Sequence, residues 1–292
     1  MTDVAAGARS YLYVPADRPD RLARATARGA DALILDLEDA VPPAGKHRAR
    51  GVLADWLAGQ DDPGCELWVR INPGLAEADI AAVVTPWVTG VVVPKAEPAL
   101  LAEIDRLLTA HERAVSAPVG RTGALPLIET ARGLLSAAAV AAAPRVARLG
   151  IGEADLAADL GLQPGPGREE LIPLRLQIVV ASAAQGIGAP VGPASLDYKD
   201  RDGLRESTQS LLRLGFRART AIHPAQVATV NDVFTPAPAE VARARRLVAA
   251  FEEAVRGGIG VTTDEEGRMV DVAVIRAARE VLARARSSPG QP

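Results

Sequence analysis

Two apolar runs in the middle of the chain each end in a carboxylate. Leu125–Ile128 stops at Glu129, and Ala147–Ile151 leads through Gly152, Glu153 and Ala154 to Asp155. One helix-sized, alanine-rich segment lies between them. The pattern reads strand, helix, strand, with an acid just past the end of each strand. Acids at adjacent carboxyl ends of a parallel sheet are a ready place for a divalent metal.

The elements that must position this pair follow from hydrophobic patterning. Tyr11–Val14, Ala32–Leu37, Leu67–Ile71, Val91–Pro94, Leu125–Ile128, Ala147–Ile151, Pro190–Ala194 and Thr220–Ile222 read as eight short strands. Helical segments are expected at Leu22–Arg28, Ala44–Leu57 and Leu75–Val84, around Leu100–Leu108, in the Ala-rich segment, and at Arg175–Ala184 and Leu204–Leu214. Leu100, Leu101, Ile104, Leu107 and Leu108 recur at the helical period. Strands alternating with helices imply right-handed βαβ units and a parallel sheet. Eight units in about 225 residues fit an α/β fold of the (β/α)8, or TIM-barrel, type better than an open doubly wound sheet. No Gly-x-Gly-x-x-Gly follows the first strand, which weighs against a dinucleotide fold. Residues 1–235 are thus expected to form the barrel, and residues 236–292 a C-terminal helical extension. There Val241, Ala244, Val248, Phe251 and Val255 repeat at helical spacing, and Val274–Ala285 reads as a last helix. The terminal SSPGQP reads as a disordered tail.

Composition narrows the class. Of 292 residues, 48% are hydrophobic and only 3% aromatic, so the core must be aliphatic. Lys plus Arg number 33 against 36 Asp plus Glu, a balance with no general attraction for nucleic acid. Cys65 is the only cysteine, which excludes an intrachain disulfide and suits a reducing compartment. The three histidines, at 47, 111 and 223, make no His-x-x-x-His zinc pattern. MTDVAAGARS has no basic start followed by an apolar run, and the Ala-rich run Leu134–Ala143 is too short to span a bilayer. The expectation is a cytoplasmic protein without a membrane partner.

In barrel enzymes chemistry sits at the carboxyl ends of the strands. The ionisable residues there are Asp36, Glu38 and Asp39 after strand two, Arg70 after strand three, Lys95 after strand four, Glu129, the pair Glu153 and Asp155, and His223. Buried charges are costly unless paired or metal-bound. The alternative is a set of ion pairs that satisfy one another.

The motifs RSYLYVPADRPDR, LILDLEDAVPPAGKHRAR, ELWVRIN, GVVVPKAE, LPLIETARGLL, LGIGEADLAADLG, AIHPAQVATVNDVFTP and GRMVD occur in this order. The series resembles the citrate lyase β-subunit-like (CitE-like) branch of the HpcH/HpaI aldolase superfamily, over nearly the whole chain. The resemblance implies a TIM barrel whose C-terminal extension caps a neighbouring subunit, in a homotrimer. It also implies Mg2+-dependent carbon–carbon cleavage or formation on acyl-CoA-type substrates, with Mn2+ as a substitute metal.

By the same resemblance Glu129 and Asp155 match the metal-binding acids, and Arg70 matches the substrate-binding arginine. A guanidinium grips a carboxylate through two parallel hydrogen bonds. Backbone N–H groups around Gly152, Glu153 and Ala154 are candidates for the substrate carboxylate at a helix start. Glu38 and Asp39 are candidates for acid–base or orienting work. Simpler aldolases of the superfamily carry His where Asp39 stands, so Asp39 favours CoA-type substrates. Asp271 of GRMVD matches the acid supplied as base, although Val272-Ala273 replaces the usual proline-containing continuation. Competing readings are an ion pair of Arg70 with a strand-two acid, Asp155 as a helix N-cap, Glu129 as a first-turn acid beside Arg132, and Asp271 as an exposed turn acid.

The implied function is a lyase of 3-hydroxyacyl-CoA esters of the malyl-, citramalyl- or citryl-CoA type, giving a keto acid and an acyl-CoA. Thioesterase or malate-synthase side activity is compatible with the same site. The alternative is a citrate lyase β subunit that works only with a carrier protein. Arg18, Lys46, Arg48, Arg50 and Lys95 are further candidates for CoA phosphates.

Overall fold

The computed structural model describes residues 7–258 and 260–286; the tail SSPGQP and residues 1–6 of the N-terminal stretch lie outside them. These residues divide between Asn231 and Asp232 into two compact units.

In the first unit eight parallel strands close into a barrel: β1 Ser10–Pro15, β2 Ala32–Asp36, β3 Glu66–Arg70, β4 Val88–Val93, β5 Gly123–Ile128, β6 Arg148–Ile151, β7 Gly188–Gly192 and β8 Ala218–Ala221. Each pairs with the next, and β1 closes on β8 with Tyr11 opposite Thr220. This is the expected TIM barrel with its surrounding helices.

The period of two decides what each strand residue does, because alternate side chains point to opposite faces. Leu33, Leu35, Leu67, Val69, Val91 and Val93 face outward, in one aliphatic core with Leu53, Ile80, Ile104 and Ile178 of the helices. Tyr11, Ala32, Ile34, Trp68, Val92, Leu125 and Leu127 face inward and fill the barrel. Carrying the inward parity one step toward the carboxyl ends reaches Tyr13, Asp36, Arg70 and Glu129. One alternation therefore builds the plug and aims the polar residues above it.

The lower half is closed by Arg148, which donates to the carbonyls of Ala189 (2.7 Å) and Ala8 (2.8 Å). Trp68 donates its indole N–H to Glu66 at 2.8 Å. A Cβ at Gly90 would overlap the Trp68 ring, so β4 needs glycine opposite the large indole.

Two local expectations are corrected. The Ala-rich segment is two short helices, Ala131–Leu135 and Ala137–Ala141, because the chain bends at Ser136, whose hydroxyl donates to the Arg132 carbonyl at 2.8 Å. The helix expected at Leu22–Arg28 starts earlier and stops sooner, as Pro19–Leu22 followed by a 3-10 turn Thr26–Arg28. Pro19 suits a first turn, and Gly29, at φ 73°, ends the segment in the left-handed region. The stretch after the helix Pro238–Arg256 holds a small antiparallel hairpin, Thr262–Thr263 with Met269–Val270.

In the second unit Phe251, Val270 and Ile275 form the core between the hairpin and the helices Pro238–Arg256 and Val272–Arg286. Asp271 caps the last helix, accepting from the N–H groups of Ala273 (2.9 Å) and Val274 (3.0 Å). No helix among the described residues is long and apolar enough to cross a membrane.

Candidate active site

A cavity of about 950 Å3 opens at the carboxyl ends of the strands. Tyr13, Asp36, Arg70, Glu129, Gly152 and Asp155 are among its lining residues. Asp39, Glu153 and Ala154 also line it, whereas Glu38 does not.

Glu129 follows β5 directly and is 3% exposed. Its Oε1 accepts the backbone N–H of Lys95 at 2.8 Å. Lys95 holds φ at 48°, a left-handed backbone that is uncommon for a residue with a side chain. That turn aims its N–H at the carboxylate, while its own side chain is exposed. Burial, reinforced by the negative charges of Asp155 and Glu38, pushes the Glu129 carboxyl up to about 7 against the pull of the Lys95 N–H. The helix after β5 starts at Ala131 with Thr130 as its N-cap, so Glu129 precedes the first turn, and Arg132 pairs with Glu97 instead, at 3.8 Å.

Asp155 stands in the first turn of the helix Glu153–Asp159, exposed, and Gly152 holds the N-cap position. The N-cap reading of Asp155 is thereby excluded. Gly152 is needed sterically: a Cβ there would overlap Glu129 Oε2 and lie 2.7 Å from Glu129 Cβ. Its N–H donates to the Ile128 carbonyl at 3.1 Å, extending the strand pairing, and so is not available to a ligand. The N–H groups of Glu153, Ala154 and Asp155 lie in the first turn, where no intrahelical acceptor exists. The Glu153 side chain is committed elsewhere, to Arg175 at 2.5 and 2.9 Å. What Glu153 offers the cavity is backbone.

Arg70 is held on several sides. Its Nε and Nη2 donate to the two Asp36 oxygens at 2.8 and 2.6 Å. Nη1 meets Glu38 at 2.7 Å and Asp39 at 3.3 Å. The guanidinium carbon lies 4.9 Å from the centre of the Tyr13 ring. Asp36 also accepts the N–H groups of Glu38 (2.9 Å) and Ala40 (3.2 Å), which fixes the loop after β2. Burial lifts the Glu38 carboxyl to about 7, with Asp39 and Asp36 adding to the rise and Arg70 opposing it. Burial also raises the Tyr13 phenol, so it stays a neutral O–H group.

Several sequence candidates are otherwise engaged. Lys46 donates to the carbonyls of Leu37 (2.7 Å) and Glu38 (2.5 Å), and Arg50 pairs with Asp79 at 2.6 Å. Burial raises the Cys65 thiol to about 11, so it is no nucleophile at neutral pH. Two contributors were missed: the Tyr13 ring and the Lys95 backbone N–H. The inward parity of β1 could have pointed to Tyr13; no sequence signal marks the Lys95 turn.

A closed parallel barrel with acids and one clamped arginine at its carboxyl end defines a TIM-barrel enzyme site. The model of the HpcH/HpaI aldolase/citrate lyase family matches residues 9–224, and the chain belongs to that family. It is 36% identical over 280 residues to a (3S)-malyl-CoA thioesterase of Cereibacter sphaeroides, covering 95% of this chain and 94% of that protein. It is 34% identical over 280 residues to the citrate lyase subunit beta of Leuconostoc mesenteroides subsp. cremoris, covering 94% and 92%. Among solved structures it is similar to CitE of Mycobacterium tuberculosis in complex with magnesium, acetoacetate and coenzyme A. That match has 34% identity and a TM-score of 0.76, covering 97% of this chain and all of that one. The protein is accordingly an enzyme of a lyase and thioesterase family.

Proposed function

We propose that the chain is a Mg2+-dependent carbon–carbon lyase of 3-hydroxyacyl-CoA esters of the malyl-, citramalyl- or citryl-CoA type. The observation that carries this reading is Glu129. A buried carboxylate with one oxygen hydrogen-bonded and the other facing Gly152, beside a second acid on the same cavity, calls for a cation. Among the described residues no three or more His, Cys, Asp or Glu side chains converge as a metal cluster. A two-carboxylate site suits Mg2+, which keeps water and substrate oxygens in its other positions. Glu129 and Asp155 would hold it; Mn2+ would fit the same oxygen donors.

When bound, the metal supplies Lewis acidity toward a keto-acid carbonyl. Arg70 binds the keto-acid carboxylate. Asp36 occupies Nε and Nη2, so the ligand meets the guanidinium on the Nη1 side, in place of Glu38 and Asp39. A Glu38 carboxyl near 7 is partly neutral at physiological pH and yields that position more readily than a full carboxylate. The first-turn N–H groups of Glu153 and Ala154 favour anionic oxygens. In the condensing direction Asp271, supplied by a neighbouring subunit of a homotrimer, removes the α-proton of the acyl thioester. In the cleaving direction it returns a proton to that carbon. Thioester hydrolysis at the same site is a second activity in this reading, and the enzyme works in the cytoplasm.

The Leuconostoc relative favours a second reading, a citrate lyase β subunit that acts only on a carrier-bound acyl group. A purified-chain assay with malyl-, citramalyl- and citryl-CoA plus Mg2+, following released keto acid, separates the two. Turnover of a free CoA ester supports the first. Citrate cleavage only after carrier and transferase subunits are added supports the second.

A further inference from the structure

A second arginine reaches the main cavity from the loop that follows the helix Glu153–Asp159. Arg168 lines it together with Pro164, Gly165 and Pro166 of that loop. Local hydrogen bonds hold the loop in place. The Gly165 N–H donates to Glu170 at 3.1 Å, and the Gly165 carbonyl accepts the Arg168 N–H at 3.0 Å. Arg168 itself holds φ at 54°, a left-handed backbone that is uncommon for a residue with a side chain. Residues kept in such conformations cluster at ligand sites.

The charge on this wall is not balanced. The carboxylate within ion-pair distance of Arg168 is Glu153, at 3.5 Å, longer than a good hydrogen bond. Both Glu153 oxygens are already taken by Arg175, at 2.5 and 2.9 Å. A third guanidinium, Arg219, lies behind them and is 4% exposed. It donates to the Pro193 carbonyl (2.9 Å) and to the hydroxyls of Ser207 (2.8 Å) and Thr208 (2.7 Å), none of them charged. Burial lowers the Arg219 guanidinium to about 10; Arg175 and Arg168 add to the fall, and Glu153 opposes it. Three cations thus gather around one carboxylate. Of the three only Arg168, with 47% of its side chain exposed, lines the cavity. The Arg70 side is the reverse, since one guanidinium there meets Asp36, Glu38 and Asp39. A cavity with one wall short of negative charge draws an anionic group to that wall.

We propose that Arg168 binds a second carboxylate, on the carbon chain of the keto acid, and so selects a dicarboxylic keto acid. This rests on the main cavity being the site of the metal-bound keto acid. Arg70 keeps the carboxylate next to the ketone. Glu153 and Asp155 share the first turn of one helix, so Arg168 stands beside the turn that carries the metal acid. The substrate is thereby narrowed to the citryl type. Citryl-CoA and citramalyl-CoA differ only by a carboxylate in place of one methyl hydrogen. A site built to hold a polar group discriminates against the analogue that lacks it, because its own donors are then left unpaired.

The test is calorimetric titration of the full chain with Mg2+ plus oxaloacetate and with Mg2+ plus pyruvate, in wild type, Arg168→Ala and Arg168→Lys. Wild type should bind oxaloacetate about tenfold or more tighter than pyruvate, the effect of a charged hydrogen bond. Arg168→Ala should lose that margin on oxaloacetate and stay within about twofold of wild type on pyruvate, which also reports an intact site. Arg168→Lys should recover part of the oxaloacetate affinity, as a charge without the planar fork. In turnover, Arg168→Ala should lower kcat/KM for citryl-CoA and spare citramalyl-CoA. The two esters carry the same CoA, so an equal loss on both would mark a contact to CoA and overturn the proposal. No wild-type preference for oxaloacetate, or an equal loss of both keto acids in Arg168→Ala, overturns the Arg168 assignment alone. Wild type that binds neither keto acid with Mg2+ overturns the keto-acid reading of the cavity with it.

Discussion

Gly152 and Glu129 occupy space that only a glycine can share: a Cβ on Gly152 would overlap the Glu129 carboxylate and lie 2.7 Å from Glu129 Cβ. Gly152→Ala should therefore displace the carboxylate while leaving the barrel folded. Mg2+ affinity should fall by about tenfold or more, since a metal site tolerates little misplacement of its ligands. Calorimetry on the variant checks this; wild-type affinity with an unmoved Glu129 would contradict it.

The two acids make a sharper test. Glu129→Gln and Asp155→Asn keep shape and remove charge. Each should abolish metal-dependent turnover with the circular dichroism spectrum intact. Metal affinity equal to wild type in either variant would remove that residue from the site.

The metal and the proton compete for Glu129. Its carboxyl is raised to about 7 in the folded protein by burial, above the ordinary 4.5. Between those values the native state holds a proton that the unfolded chain has released, so stability without metal falls as pH rises from about 4.5 to 7. A cation offsets the buried charge, so added Mg2+ should raise the melting temperature more at pH 7.5 than at pH 5.5. Thermal melts at both pH values, with Mg2+ and with EDTA, read the difference; an equal Mg2+ effect at both would refute the argument.

Arg70 serves two partners. Arg70→Ala should weaken keto-acid binding by roughly 2–5 kcal/mol, the range for loss of one member of a buried charge pair. It should also destabilise the fold by roughly 3–5 kcal/mol, because Asp36, 2% exposed, loses its counter-ion. Asp36→Asn in the Arg70→Ala background should recover much of the stability and none of the ligand affinity. Urea melts and calorimetry separate the two effects.

Asp271 needs a variant that spares its cap. It accepts two backbone N–H groups at the start of the last helix, so alanine would cost about 1 kcal/mol in capping alone. Asp271→Asn keeps an acceptor and removes the base. Turnover should fall by roughly 10²–10⁴-fold, the usual contribution of a positioned acid or base, with KM little changed. Unaltered turnover would exclude Asp271 from the chemistry.

Much of this molecule was written along the chain. The barrel follows from eight apolar runs alternating with helical periods, and the acids at their ends follow from simple inspection. Two local readings failed: Ser136 bends the Ala-rich run, and the segment begun by Pro19 leaves the α-helix after Leu22 and resumes as a 3-10 turn that Gly29 ends.

What the amino-acid order determined on its own is the alternation. A period of two in each strand sends Leu33 and Leu35 outward and Ile34 and Asp36 inward, whatever the neighbours are. Only the tertiary structure decided which charges meet. That Arg70 spends three nitrogens on Asp36, Glu38 and Asp39, that Glu153 turns to Arg175, and that a left-handed Lys95 presents its N–H to Glu129 all depend on closure. The barrel places β2 beside β3, β4 beside β5, and β5 beside β6, at ångström distances. Charge pairing depends on distance in space and on burial, and neither is a property of separation along the chain.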